Sequence, residues 1–152
     1  MIKLGEKAPD FRLRGDDGKY HTLEEFAGKY LVLYFYPKDD TPECTIETVQ
    51  FSKHMAELKK AGAKAIGISI DSIDSHRKFK NKYEMKTLLL SDPRSSVVKK
   101  YDSYGPGGEY DTYTIRNTFV IGRDGKLLRI YKDVKVEGHV KEILLYLNSP
   151  IK

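Results

Sequence analysis

YLVLYFYPKDDTPECTIE, residues 30–47, is the stretch on which the fold turns. Its first part, Tyr30 to Tyr36, is an unbroken run of aliphatic and aromatic side chains. A strand with one face in water alternates apolar and polar residues, whereas an unbroken run marks a strand buried on both faces. The character changes at Pro37, passes through Lys38-Asp39-Asp40 and reaches Thr41-Pro42. Thr41 is a favoured N-cap type, and Pro42 suits the first helical position, where its missing N–H costs nothing. That registration places Cys44 third in the helix, where unpaired amide N–H groups and the positive end of the helix dipole converge. A thiolate there is stabilised, which predicts a pKa below the free-cysteine value of about 8.5. The carboxyl end of a central strand is also where open α/β sheets gather their sites.

Outward from this stretch, strand-like runs alternate with helical patterns, which argues for an α/β layer fold. Lys19-Tyr20-His21-Thr22 follows the turn signal Gly15-Asp16-Asp17-Gly18 and ends a short N-terminal hairpin. Ala63 to Ile70 and Thr87 to Leu90 read as central strands. Asn117 to Ile121 and Lys126 to Tyr131 flank the turn Gly122-Arg123-Asp124-Gly125 and form a hairpin. A first helix spans Pro42 to Ala61, with Phe51, Met55, Leu58 and Gly62 on its buried stripe. A second covers Ser72 to Tyr83, with Ser72 as N-cap. A shorter one lies near Ser95 to Tyr101. The last runs from Glu137 to Leu147, with Val136, Val140, Ile143 and Leu147 towards the core. Tyr104 to Thr114 reads as an extended loop rich in glycine and tyrosine. No repeat, linker or low-complexity tract interrupts the pattern, so residues 1–152 read as one domain.

A chain of 152 residues can bury roughly two-thirds of its unfolded surface. Its hydrophobic fraction of 39% and mean hydropathy of −0.54 are ordinary for a globular protein. The Tyr30–Tyr36 run is far short of the roughly 20 residues a membrane helix needs, and the N-terminus lacks an apolar signal core. The cytosol is the expected compartment. The formal charge of +5 is spread through Lys59-Lys60, Lys78-Phe79-Lys80 and Lys99-Lys100, interleaved with acids, and carries no nucleic-acid motif.

There is one cysteine, so neither an internal disulfide nor a multi-thiolate metal site can form. Composition alone leaves Cys44 as a buried apolar residue, a dimer staple or a reactive thiol. The spacing Pro37, Thr41, Cys44 resembles the peroxiredoxin pattern P-x-x-x-T-x-x-C. The longer YFYPKDDTPECTIE is similar to the bacterioferritin-comigratory, or PrxQ, branch of that family. Gly5-Glu6-Lys7-Ala8-Pro9-Asp10-Phe11, Leu90-Ser91-Asp92 and Arg116-Asn117-Thr118-Phe119-Val120-Ile121 resemble its G-x-x-A-P-D-F, L-S-D and R-x-T-F-x-I, in the family's order.

The resemblance implies a thioredoxin-like fold, a central mixed sheet flanked by helices with an N-terminal β-hairpin extension. It implies a thiol-dependent peroxidase acting on hydrogen peroxide or alkyl hydroperoxides, with no cofactor or metal. By position, Cys44 becomes the peroxidatic cysteine and passes through a sulfenic acid. Thr41 sets its hydroxyl against the peroxide, Pro37 shields the sulfur, and Arg116 supplies a charge that no pH removes. Each also has an ordinary reading: a helix cap, a strand end, a surface ion-pair partner. Thr41 is expected to cap the helix in either case. Glu47, one turn beyond Cys44, is either a partner for Arg116 or a first-turn acid favoured by the dipole.

Two positions depart from the branch. Val49 stands where many members carry a second cysteine, which makes this a one-cysteine variant. Its sulfenic acid must be reduced by an external thiol, such as a thioredoxin- or glutaredoxin-like protein, in a monomer or weak homodimer. Glu43 stands where the branch commonly has glycine; it either raises the thiol pKa slightly or points to solvent. His21, His54, His76 and His139 show no metal-ligand spacing and read as surface residues. Tyr36 and Tyr113 are candidates for the pocket wall. A disulfide reductase would need C-x-x-C, which is absent. A thioredoxin-like binding or chaperone module without turnover is the competing function.

Overall fold

A computed structural model describes residues 2–106 and 109–150. In chain order the elements are β1 (Arg12–Gly15), β2 (Tyr20–Thr22), β3 (Tyr30–Phe35), α1 (Pro42–Lys53), α2 (Met55–Lys60), β4 (Ala63–Ser69), α3 (Ile73–Lys82), β5 (Leu88–Ser91), α4 (Ser96–Lys100), β6 (Thr118–Ile121), β7 (Leu127–Tyr131) and α5 (His139–Leu147). The strands form one mixed sheet in the order β2-β1-β5-β4-β3-β6-β7. β3, β4 and β5 run parallel, whereas β6 and β7 on one side and β1 and β2 on the other pair antiparallel. The expected N-terminal hairpin is β1–β2, and it extends the sheet beyond β5.

The unbroken apolar run of β3 is explained by cores on both faces. Leu31, Leu33 and Phe35 join one core with Ile66, Ile68, Phe119 and the α4 residues Val97 and Val98. Val32, Tyr34 and Tyr36 join the other with Cys44, Phe51, Phe79, Val140 and Ile143. The pleat sends alternate side chains of β3 to opposite apolar layers, so no position from Leu31 to Phe35 faces water. α1, α3 and α5 thus pack on the face that holds Cys44. At Gly67 a Cβ would lie 2.7 Å from the Tyr34 ring, so glycine lets that ring lie on β4. Tyr34 in turn stacks on Phe51 of α1, with centroids 4.3 Å apart, and its hydroxyl donates to Thr48 at 3.2 Å. These contacts fix α1 over the sheet.

The expected helix from Pro42 to Ala61 is two segments that meet at His54. His54 Nδ1 lies 2.9 Å from the Gln50 carbonyl oxygen, competing with the backbone ladder at the break. Phe51 and Leu58 of the expected stripe are buried, while Met55, next to the break, is half-buried. Ser72 caps α3 as expected, accepting from the Ser75 amide at 3.1 Å. Val136, Val140, Ile143 and Leu147 all face the core.

Candidate active site

One residue past β3, the Tyr36 amide still donates to the Ile68 carbonyl, so the chain leaves the sheet at Pro37. The Phe35 amide donates to the Asn117 carbonyl at 2.9 Å. With Tyr34 opposite Thr118 in antiparallel register, Arg116 arrives abreast of Tyr36 at the sheet edge where α1 begins. Two segments 72 residues apart therefore meet at one sulfur. Arg116 Nη2 donates to Cys44 Sγ at 3.4 Å, and Nη1 donates to Glu47 Oε1 at 2.8 Å. Cys44 and Glu47 are three residues apart on α1 and share a face. Of the two readings of Glu47, the structure shows the Arg116 partner.

Cys44 is fully buried, and Arg116 and Glu47 keep only 1% of their side-chain surface. Burial pushes the Cys44 thiol above its ordinary value, against the downward pull of the Arg116 charge, the Thr41 hydroxyl and the Lys38 backbone. The expectation of a lowered pKa is thus corrected: a position in the first helical turn supplies partial charges, but loss of water outweighs them. Burial also raises Glu47, to about 7, despite Arg116. Burial works against the Arg116 charge too, yet Glu47 and Cys44 hold its pKa above the ordinary value. Near neutrality the proton that moves in this pair is therefore the one on Glu47.

Thr41 occupies the N-cap position without capping through its side chain. Its hydroxyl instead donates backwards to the Lys38 carbonyl at 2.7 Å, closing the turn that precedes α1. The expected cap is therefore not made: no first-turn amide donates to the Thr41 oxygen. Pro37 is buried at the start of the same turn. Glu43 is half exposed, with an oxygen 4.0 Å from Arg116 Nη2, so it faces the guanidinium at the rim. Glu109, a residue the sequence presents only as loop, reaches the same nitrogen at 3.8 Å. Tyr36 is buried and donates to Asp39 Oδ1 at 2.6 Å. Tyr113 stacks on Tyr104 in the outer loop and is half exposed.

Three histidines expected at the surface are buried. Each has partners for both ring nitrogens: His21 lies between Asp17 and Glu25, His139 between Thr118 and Glu142, and His76 between Asp39 and the Leu90 carbonyl. A hydrogen-bonded imidazole is accepted in a core. The partners of His76, and Thr118 beside His139, come from distant segments and leave no mark in the spacing of the chain, whereas Asp17 and Glu25 lie within four residues of His21.

The sequence profile of the AhpC/TSA family matches residues 4–130. The chain is similar to peroxiredoxin Bcp of Bacillus subtilis, at 41% identity over 152 residues, covering 97% of this chain and 96% of that protein. It is also similar to the bacterioferritin comigratory protein of Xanthomonas campestris, a structure described for alkyl peroxide reduction with a trapped intermediate and ligand. That match has a TM-score of 0.86 and 34% identity, covering 97% of this chain and 96% of the other. The yeast mitochondrial 1-Cys peroxiredoxin, described with thiol resolution through glutathione and thioredoxin systems, aligns at a TM-score of 0.82 and 25% identity. This match covers 97% of this chain and 76% of that one.

Proposed function

The chain belongs to the AhpC/TSA family, among the Bcp/PrxQ peroxiredoxins, and from that premise we propose that it is a thiol peroxidase in which Cys44 is the attacking sulfur. The observation that carries this reading is the 3.4 Å contact between Arg116 Nη2 and a buried Sγ at the start of a helix. The fold is thioredoxin-like α/β, and the single seven-stranded sheet supports reading the chain as one domain. Hydrogen peroxide and alkyl hydroperoxides are the substrates. The sulfur, once deprotonated, attacks the near peroxide oxygen, an S–O bond forms and the O–O bond breaks. The leaving oxygen takes a proton and departs as water or alcohol, so sulfur is oxidised to the sulfenic acid and the peroxide is reduced. Negative charge develops on both oxygens, and Arg116 meets it as a preset cation. Arg116 Nε and Glu47 Oε2 are buried without a hydrogen-bond partner, which gives the guanidinium and its partner capacity for one more polar group. On the same reading Thr41 sets its hydroxyl against the peroxide and Pro37 shields the sulfur.

With one cysteine, an external thiol must attack the sulfenic acid, releasing water and forming a mixed disulfide. A second thiol then restores Cys44 and leaves as the disulfide. We assign this reductant to a thioredoxin- or glutaredoxin-like donor, in a reducing compartment such as the cytosol, with the enzyme as a monomer or weak homodimer. Among the described residues no helix is long and apolar enough to cross a membrane.

Peroxide consumption with dithiothreitol tests the reading. Cys44→Ser is expected to lose all turnover while keeping the wild-type circular dichroism spectrum. Undiminished consumption by that variant removes Cys44 from the reaction, and an inactive wild type leaves the binding or chaperone module as the better account.

A further inference from the structure

The turn between β3 and α1 carries two adjacent aspartates, and both reach across to α3. Asp40, in the left-handed region at φ 57°, accepts from Lys82 Nζ at 2.8 Å and from the Tyr83 hydroxyl at 2.6 Å. This pair lies at the surface, where an ion pair holds little. Asp39 is different. Its carboxylate is buried and accepts from the Tyr36 hydroxyl at 2.6 Å and the Ser75 hydroxyl at 2.8 Å, with His76 Nδ1 at 2.7 Å. Its own amide donates to Asp71 Oδ2 at 2.8 Å.

The protons on His76 can be counted from its partners. Nε2 lies 2.9 Å from the Leu90 carbonyl oxygen, which only accepts, so Nε2 carries hydrogen. Nδ1 faces a carboxylate that already accepts two hydroxyl protons, as an ionised group does, so Nδ1 carries hydrogen as well. His76, with no exposed surface, is therefore an imidazolium paired with a buried carboxylate. Asp39, Asp71 and His76 bring three donor atoms within 4.8 Å, but a doubly protonated ring has no lone pair for a cation.

We propose that Asp39 and His76 are positioning residues of the peroxidase, a buried charged pair that fastens residues 37–41 to α3 and thereby holds Thr41 and Cys44 against Arg116. The inference rests on the peroxidase reading of Cys44, although the pair acts on the resting protein. The turn it fastens is the one closed by the Thr41 hydroxyl on Lys38, and Cys44 begins three residues later. A small displacement there shifts the sulfur against a guanidinium that the segment before β6 carries and that Glu47, farther along α1, also holds.

The fastening depends on the His76 proton. The ring faces Asp39 from the turn, Asp71 from the β4–α3 loop, the Tyr36 phenol at 3.4 Å and the Leu90 carbonyl of β5. Burial favours the neutral ring, but the Asp39 hydrogen bond and charge, the Leu90 carbonyl and Asp71 hold the pKa above its usual 6.5. A raised value means the pair contributes fully below 6.5 and is lost as pH rises through the folded-state pKa.

Two measurements test this. The first divides the second-order rate of Cys44 oxidation by hydrogen peroxide by the thiolate fraction, read from absorbance at about 240 nm, across pH. In the wild type this ratio is expected to fall as His76 deprotonates. In His76→Gln and Asp39→Asn it is expected to be about tenfold lower at neutral pH and flat, with the double variant no worse than either. Asp40→Asn, at the exposed anchor, changes it less than twofold by the weakness of surface pairs. The second measurement uses no peroxide and no variant: hydrogen exchange of the 38–44 amides and the imidazole resonances of native protein. Protection beyond intrinsic exchange is expected to fall, by about tenfold or more, as His76 titrates above 6.5. A neutral His76 at pH 6, protection that ignores its titration, or folded variants with wild-type ratios each overturn the proposal. Titrating protection in a protein that does not react with peroxide overturns the peroxidase reading alone.

Discussion

Sγ of Cys44 is out of water and faces a cation that itself has another partner. That arrangement sets the pH behaviour of the residue. Because burial raises the thiol pKa, the thiolate fraction is small at neutrality and sulfenic acid formation is expected to keep accelerating with pH beyond the ordinary thiol value. Arg116→Ala removes the principal downward pull, so the rise moves to still higher pH. The rate at pH 7 is expected to drop on the order of 10²–10³-fold, the loss typical of a missing charge-stabilising donor. Stopped-flow oxidation across pH reads both effects, and a rate unchanged in Arg116→Ala would show that the 3.4 Å contact is chemically idle. Glu47 makes a separate prediction. Its folded pKa of about 7 lies above the usual 4.5, so the folded state holds the proton more tightly between those values. Stability from this group is full below about 4.5 and is lost as pH rises through 7. Glu47→Gln, which mimics the protonated acid, should match the wild type in urea unfolding at pH 4.5 and exceed it by up to a few kcal/mol at pH 8.

α1 carries Cys44 and Glu47 and α3 holds the turn before it, each helix fixed by a different device. α1 is fixed to the sheet through Phe51, which is 1% exposed, stacks on Tyr34 and meets His139 edge-on at 6.2 Å. Phe51→Ala is expected to cost about 3–5 kcal/mol of unfolding free energy, the usual penalty for an aromatic-sized cavity. Denaturant titration measures it, and a cost below about 1 kcal/mol would mean the α1–sheet contact collapses around the gap. α3 depends on its start. Ser72→Ala removes the bond from the Ser75 amide and should cost about 1 kcal/mol, the usual worth of an N-cap. The Ser72 cap was legible because its signal is local, a cap-type residue just before an amphipathic run. The break at His54 was not, because the periodic stripe Phe51, Met55, Leu58 continues through it and only the side-chain bond to Gln50 marks it.

The whole chain carries one sulfur nucleophile and keeps it inside. One equivalent of peroxide should therefore give a monomer heavier by a single oxygen, trapped by dimedone and visible by intact-mass spectrometry. A quantitative covalent dimer would contradict a recessed Cys44. The α/β class, the central buried strand and the helix beginning at Pro42 were readable in the chain, because strand period and cap chemistry are short-range properties, whereas Cys44, Thr41, Pro37 and above all the distant Arg116 were singled out as a set only by resemblance to a family pattern. The sign of the thiol pKa was not, since it depends on how completely other elements cover the sulfur. Nor were Glu109 beside Arg116, the backward bond of Thr41, or the Asp39–His76 pair across 37 residues. Sequence by itself determined which groups the chain carries and which elements present them. Tertiary structure decided which of those groups lose water together, because desolvation and long-range pairing are set by the packed neighbours and not by chain order.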